Sequence, residues 1–451
     1  MPFNPTPYIV FDGERVACDV DLIGTAPLAL AGLTVNWGRD DYISHSRPGT
    51  AQLAILDRTG TWADKVTAKS VIGRRISLHW EHTASGTSQR WFAGRVTGAV
   101  ARPATESGAG GWIIAITAAA KDADMGNVIL SPGTWPTETM ITRANRIASA
   151  AVPAEIDAFY FYPGSVDIQC WPLDVKGRDL RSLCDEFYMS MGDTYSYHPH
   201  TNVVRHLYRR SYAVNLYLVQ MPDGLVYVQA SNIIYDSQTY KGTGLAGCET
   251  STDDGIQLAP NSVVTRVQVG WKDAPNGGGD VTTVAQTSEG DTNGRRTVQF
   301  TSWIDNGIHI DPMVTEVLAR GQYEGALPKH PPVTWDTRRT GGFHSQAEAE
   351  VFTLAAETQG AVYVSGSIFS AWLPNITPVF AIIGGTIEYD GGWIITTTLQ
   401  YIWKTNTTAQ VIWNDLDHDL HWRTNATREL SSSVSWNDFR YLTHPGVYLP
   451  S

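Results

Sequence analysis

Over the first 126 residues, apolar and polar positions alternate with a period close to two, the spacing of half-buried strands. Leu53 and Ile55 share one face of a segment over 50–56, and Asp57 to Gly60 supplies turn chemistry before the next strand. Further strand-like segments cover 33–41, 72–78 and 90–96. The cluster Ser107-Gly108-Ala109-Gly110-Gly111 then connects a hairpin into the strand over 112–117. The pattern predicts a β-meander with one buried face, strands throughout, closing near 122–127.

The period changes after Pro132. Met140, Ala144, Ile147, Ala148 and Ala151 fall on one helical face over 137–151, with Glu138 placed in the first turn and Pro153 stopping the helix. A second helix over 177–191 buries Leu180, Leu183, Cys184, Phe187 and Met191, and Gly192-Asp193 ends it. With hairpin-like segments over 193–212 and 225–235, this makes a small α/β domain. Strands return from Asn261, with Val263, Thr265, Val267 and Val269 opposite Arg266 and Gln268, and 276–280 forms a loop tip. Ser345 and Glu348 form a capping box for a third helix over 345–359, with Gly360 just past its end. Strands over 380–383 and 393–396 are joined through Tyr389-Asp390-Gly391-Gly392. The expected class is mainly β with an α+β middle. Its divisions are a β-barrel over 1–126, an α/β domain over 127–260, a second β domain over 261–405 and a Trp-rich extension over 406–451.

Charge narrows the function. The 451 residues carry a formal net charge of −12, and no basic run exceeds a pair such as Arg209-Arg210, which argues against a nucleic-acid groove. Cys18, Cys170, Cys184 and Cys248 lie far apart with no C-x-x-C, so free thiols are expected rather than a disulfide framework or a zinc site. Met1-Pro2-Phe3-Asn4-Pro5 has neither a basic nor an apolar leader region, and no apolar run approaches the roughly 18 residues of a membrane span. Synthesis and folding in a cytosol are expected.

Candidate chemistry is sparse. Asp415, Asp417, His418, Asp419 and His421 are the densest set of possible metal ligands, but neither EF-hand spacing nor H-E-x-x-H is present, so a solvated linker is the better reading. His198-Pro199-His200 reads as a polar turn between strands rather than a metal pinch. No G-x-S-x-G elbow, phosphate loop, dinucleotide fingerprint or cell-wall peptidase signature occurs. The chain is expected to be no enzyme and to hold no cofactor and no metal. Trp413, Trp422 and Trp436 centre short units in a segment too small for its own core. They suit anchoring onto another domain or chain better than stacking on sugars.

The ordered motifs Trp37-Gly38-Arg39-Asp40-Asp41, Leu56-Asp57-Arg58-Thr59-Gly60, Ile72-Gly73-Arg74-Arg75-Ile76 and Phe92-Ala93-Gly94-Arg95-Val96 resemble the N-terminal domain of minor tail proteins of actinobacteria-infecting long-tailed phages, the baseplate or tail-tip hub family. The Trp-Asn-Asp units near the end resemble segments of the same proteins. The resemblance implies two tube-like β-barrels per chain and a homotrimeric ring with near six-fold character. The implied neighbours are a distal tail protein or tail tube ring, the tape measure protein and fibre or tip proteins, with DNA passing through the lumen without specific binding. It implies a structural role at the virion tail tip, the alternative being a carbohydrate-binding tail protein that touches the host wall. Trp37, Arg39, Asp40, Asp57, Gly60, Gly94 and Arg95 carry over as motif positions only.

Overall fold

The computed structural model describes residues 5–39, 44–82, 87–104, 110–161, 168–207, 215–220, 225–231, 233–235, 238–240, 244–250, 263–287, 296–326, 332–336, 338, 361–365 and 379–401. Strands β1 (Thr6–Phe11) and β2 (Glu14–Val16) pair around Asp12 and Gly13, both at positive φ, as a two-residue hairpin turn requires. Strands β3 (Leu28–Gly38), β4 (Arg47–Asp57), β5 (Arg75–His82), β6 (Thr87–Pro103) and β7 (Trp112–Ala120) follow. They are ordered β1, β5, β6, β7, β4, β3, every neighbour antiparallel. Leu33, Val35, Leu53, Ile55, Ile114 and Ile116 are buried on one face, as the alternation demands.

This sheet does not end at β3. The strand Val379–Tyr389 pairs with β3 and with Trp393–Tyr401, so both strand-rich parts of the chain lie in one hydrogen-bonded sheet. Its curvature follows from two indoles. Trp80 on β5 and Trp393 lie six strand steps apart by hydrogen-bond order, about 29 Å in a flat sheet. Their rings are 5.3 Å apart, and Trp393 Nε1 donates to the carbonyl of Pro5 at 2.8 Å. The sheet must therefore curl around Trp80, Trp91 and Trp393, all essentially buried.

The expectation of strands throughout 1–126 is corrected by helix α1 (Thr61–Thr67), which buries Trp62 and Ala63. The turn over 57–60 leads into this helix, not directly into a strand. Helices α2 (Met140–Ala150) and α3 (Leu180–Met189) stand where the helical spacing puts them. Thr139 caps α2 and Asp179 caps α3, each side chain accepting from the backbone N–H three residues on. Glu138 precedes the cap instead of occupying the first turn. It is buried between Arg143 (2.5 Å) and Arg146 (2.7 Å), both projecting from α2.

The hairpin Thr194–His198/Val203–Leu207 forms a small sheet with Ala158–Tyr160. Leu225–Ser231, by contrast, joins the long sheet beside Asn215–Gln220 and Gly244–Thr250. The strand Val264–Asp273 buries Val264, Val267 and Val269 and leaves Arg266 exposed; its hairpin partner is Gly279–Gln286, through a tip at Ala274–Gly278. A parallel strand, Arg296–Thr301, lies on its other side. Across this sheet runs α4 (Gly307–Ala326), a helix not foreseen in the sequence, burying Ile310, Met313, Val314, Val317 and Leu318 at spacings of three and four. Pro312 in its second turn reads locally as a stop. The third expected helix, over 345–359, and the extension over 406–451 lie outside the described residues.

Candidate assembly surface

Two of the motif residues, Trp37 and Arg95, serve the joint between the curled sheet and the helical part. Trp37 packs against His198, ring centroids 4.4 Å apart. Arg95 pairs with Asp124 (2.8 Å) and Glu155 (3.3 Å). Gly94 sits where a Cβ would lie 2.1 Å from the carbonyl oxygen of Ala119, so only glycine fits the ladder there. Asp57 organises the turn into α1, and Gly60 takes positive φ within it. Arg39 is buried, and Asp40 lies outside the described residues.

His198-Pro199-His200 is a turn, as expected, but it is not solvated. Both imidazoles are buried or nearly so, His200 Nδ1 meets the carbonyl of Arg90, and Ala93 N donates to Pro199 O at 3.1 Å. Burial holds His198 well below the ordinary histidine range and pushes His200 down to about 3, with Arg90 adding to the latter. Across the same joint, Arg181 of α3 reaches the carboxylate of Asp122 at 3.2 Å and donates to the carbonyl of Ser46. Burial nonetheless raises Asp122 to about 7, outweighing the guanidinium.

These shifts have opposite signs in stability. The unfolded chain binds protons at the two histidines below pH 6.5 while the folded chain does not, so their contribution is present at neutral pH and is lost on acidification. Asp122 binds its proton more readily when folded, so its contribution is present below about pH 4 and is lost as pH rises through about 7. Each uncompensated proton changes stability by about 1.4 kcal/mol per pH unit. Asp122→Asn should therefore widen the stability gap between pH 7.5 and pH 5 relative to the unmodified chain. Urea midpoints of both chains at the two values would check it, the gap in the variant exceeding that of the unmodified chain by roughly one proton's worth; an unchanged gap would remove Asp122 from this role.

The outward face of the curled sheet carries rows of mainly hydroxyl and amide side chains, with Arg47 standing opposite Gly38 beside them. One cross-strand row runs Thr334, Thr396, Thr386, Asn36, Thr50, Ala119. The next runs Asp336, Ile394, Glu388, Thr34, Gln52, Thr117, Gly98. Thr334 and Thr396 share a hydroxyl hydrogen bond at 3.1 Å. Neither row itself holds a lysine or arginine between Thr334 and Thr117; of the two carboxylates, Asp336 is paired with Arg338 at 2.8 Å, and the other is Glu388. Arg95 stands at the margin, committed to its carboxylates. A further apolar row, Gly32, Ala54, Ala115, Val100, adds only small or aliphatic groups. A surface strand normally carries lysine and glutamate outward; here hydroxyl and amide groups replace them.

Among the described residues no group of three or more histidine, cysteine, aspartate or glutamate side chains is arranged to hold a metal ion. Cys18, Cys170 and Cys184 are free thiols. Trp413, Trp422 and Trp436, the residues expected to make contacts, lie outside the described residues, as does the Asp415–His421 cluster. These rows were missed in the sequence, although their signal was present: the outward positions of β3, β4 and β7 are Thr, Asn, Gln and Ala.

A curled, mainly β sheet bearing a small helical part is also found in tail proteins of known structure. The chain is similar in structure to a tail protein from Neisseria meningitidis MC58, with a TM-score of 0.52 at 11% identity over 89% of this chain and 98% of that one. It is also similar to the 43 kDa tail protein of prophage MuSo2 from Shewanella oneidensis, with a TM-score of 0.50 at 11% identity over 87% and 97%. Identity this low makes the likeness one of fold. No family model and no curated protein sequence matches the chain.

Proposed function

We propose that this chain is a structural protein of a phage tail tip, a hub that continues the tail tube and organises tip or fibre proteins, without catalysis. The observation that carries the reading is the pair of hydroxyl- and amide-bearing rows on a curled sheet of tail-protein fold. Turned toward an axis, such a face would line a lumen. DNA held by lysine or arginine releases counterions and binds, whereas hydroxyls and amides leave phosphates in their water shell. The net charge of −12 agrees with passage rather than capture. In this reading three copies form the ring, meeting the tail tube or a distal tail protein on one side and tip or fibre proteins on the other, with the tape measure protein and then DNA passing through.

Electron microscopy of the assembled tip tests it. Three copies per ring are expected, each interface burying above roughly 1,000 Å², with Thr117 and Gln52 facing the axis. Six identical copies, a monomer throughout the tail, or Thr117 on the outer wall would overturn it. Saturable glycan binding by the isolated chain, with no ring, would favour a host-wall binder instead.

A further inference from the structure

The strand Gly279–Gln286 is an edge of the three-stranded sheet beneath α4. It pairs with Val264–Asp273 on one side, and among the described residues no strand lies on the other. The ladder shows which backbone groups face outward. Thr287 N donates to Thr265 O at 3.1 Å, so by alternation the N–H and C=O groups of Val281, Thr283 and Ala285 point inward. Those of Asp280, Thr282, Val284 and Gln286 point to the open side, and all four residues are exposed. An edge of this kind is normally blunted by lysine, proline, a bulge or an inward-pointing charge. Here eight residues run in unbroken register with none of these, and the one charge, Asp280, stands outward near the tip. The edge is also held in place from within. Trp271 Nε1 donates to Thr283 Oγ1 at 3.0 Å, and Val281, Thr283 and Ala285 are half-buried beside the buried Val267, Val269 and Trp271.

We infer that this edge pairs antiparallel with the same edge of a second copy of the chain, centred on Thr283. The strand complements itself in that register. Thr282 of each copy faces Val284 of the other, Val281 faces Ala285 on the half-buried side, and the two Thr283 face each other. Asp280 faces the neutral Gln286. The row across the joint then reads Lys272, Asp280, Gln286, Arg266, the last two from the second copy, with no like charges adjacent. The pairs Asp280 with Gln286 and Thr282 with Val284 are those whose N–H and C=O groups point outward, so the new ladder satisfies them. A slip of one residue would set outward side chains against inward ones, and a slip of two would put Asp280 against Val284, away from Arg266. The contact is two-fold and cannot close a ring of three, so it joins copies of different rings or copies not yet in one.

Thr283→Cys in the full chain tests the register. Residues facing each other without mutual hydrogen bonds have Cα atoms about 4.5 Å apart, within disulfide reach. Mild oxidation should yield a covalent species of two chains well above that of the unmodified protein, whereas Thr297→Cys, exposed on the strand Arg296–Thr301, should not. Val284→Pro tests the ladder. Its N–H faces away from Val264–Asp273, so proline is compatible with the existing sheet but removes an outward donor. Self-association, followed by sedimentation over a concentration series, should weaken at least about tenfold. Should Val284→Pro fail to fold, the cysteine variant decides alone. No excess covalent pair in Thr283→Cys, or undiminished association in folded Val284→Pro, would overturn the inference. So would a chain that does not self-associate, the result expected if the edge serves a strand of another protein. The hub reading is judged separately, from the ring at the assembled tip, so either result stands without the other.

Discussion

Replacing Asp57 with alanine should cost the fold about 4 kcal/mol, although the residue only ends a strand. Its buried carboxylate accepts five hydrogen bonds. Oδ1 takes Thr59 N (3.2 Å), Thr59 Oγ1 (3.0 Å) and Gly60 N (3.0 Å), and Oδ2 takes Trp62 N (2.7 Å) and Ala63 N (3.1 Å). The helix's own cap position is Gly60, which has no side chain to offer. Asp57 therefore serves as the cap of α1 from the end of β4, ahead of the usual position. Losing an ordinary cap costs about 0.5–2 kcal/mol. Leaving buried N–H groups without an acceptor costs about 1–3 kcal/mol each, and Trp62 N and Ala63 N are such groups. Trp62 also packs edge-on against Phe11 at 5.0 Å, so fraying of α1 would loosen the core at β1. Asp57→Asn should recover part of the loss, since its single carbonyl oxygen can replace only one of the two carboxylate oxygens. Urea unfolding at constant m-value measures both. A loss under about 1 kcal/mol for alanine would mean that water replaces the carboxylate in the turn.

The same residue marks how far the sequence could be read. Asp57 to Gly60 was recognisable as turn chemistry, and the helical spacing of α2 and α3 and the buried faces of β4 and Val264–Asp273 were legible, because each is a property of neighbouring residues. What the turn leads into was not legible: α1 is seven residues long and offers only about two turns of pattern. Helix α4 was hidden by Pro312, although Ile310, Met313, Val314 and Val317 carry the correct spacing. His198 and His200 look polar by composition, yet they are desolvated beneath the sheet, where backbone groups satisfy them. Curling of the sheet was beyond reach, since the register of Val379–Tyr389 on β3 joins residues some 350 positions apart. The resemblance to minor tail proteins nonetheless implied a tail-type fold, and two tail proteins share it at the level of fold. The rows on the outward face needed both the local alternation and the non-local register. A row such as Thr334, Thr396, Thr386, Asn36, Thr50 exists only once distant strands are aligned.

That alignment rests on a glycine seam, where the second large effect is expected. Gly38 ends β3 at φ +108, a conformation that side chains rarely adopt, directly opposite Gly384. A Cβ there would lie 2.2 Å from Gly384 Cα and 2.4 Å from the carbonyl oxygen of Ile383, which accepts from Arg39 N. Neither contact can be relieved by a rotamer change, because both atoms are backbone. Gly38→Ala must therefore push Val379–Tyr389 off β3, breaking the crossing of Asn36 to Thr386 and Thr34 to Glu388 on which both rows depend. Gly13 is the matched control, with φ +88 and nothing within 4 Å of its Cβ position, so Gly13→Ala carries backbone strain alone. Strain of that kind costs about 1–3 kcal/mol. Gly38→Ala should exceed Gly13→Ala by at least about 2 kcal/mol, the range of overpacking against fixed atoms. Thermal unfolding of the two variants measures the difference, and proteolysis of the strand Val379–Tyr389 should accelerate only in Gly38→Ala. Equal losses in the two variants would mean that the seam yields without cost. The curl would then be held by Trp80, Trp91 and Trp393 alone.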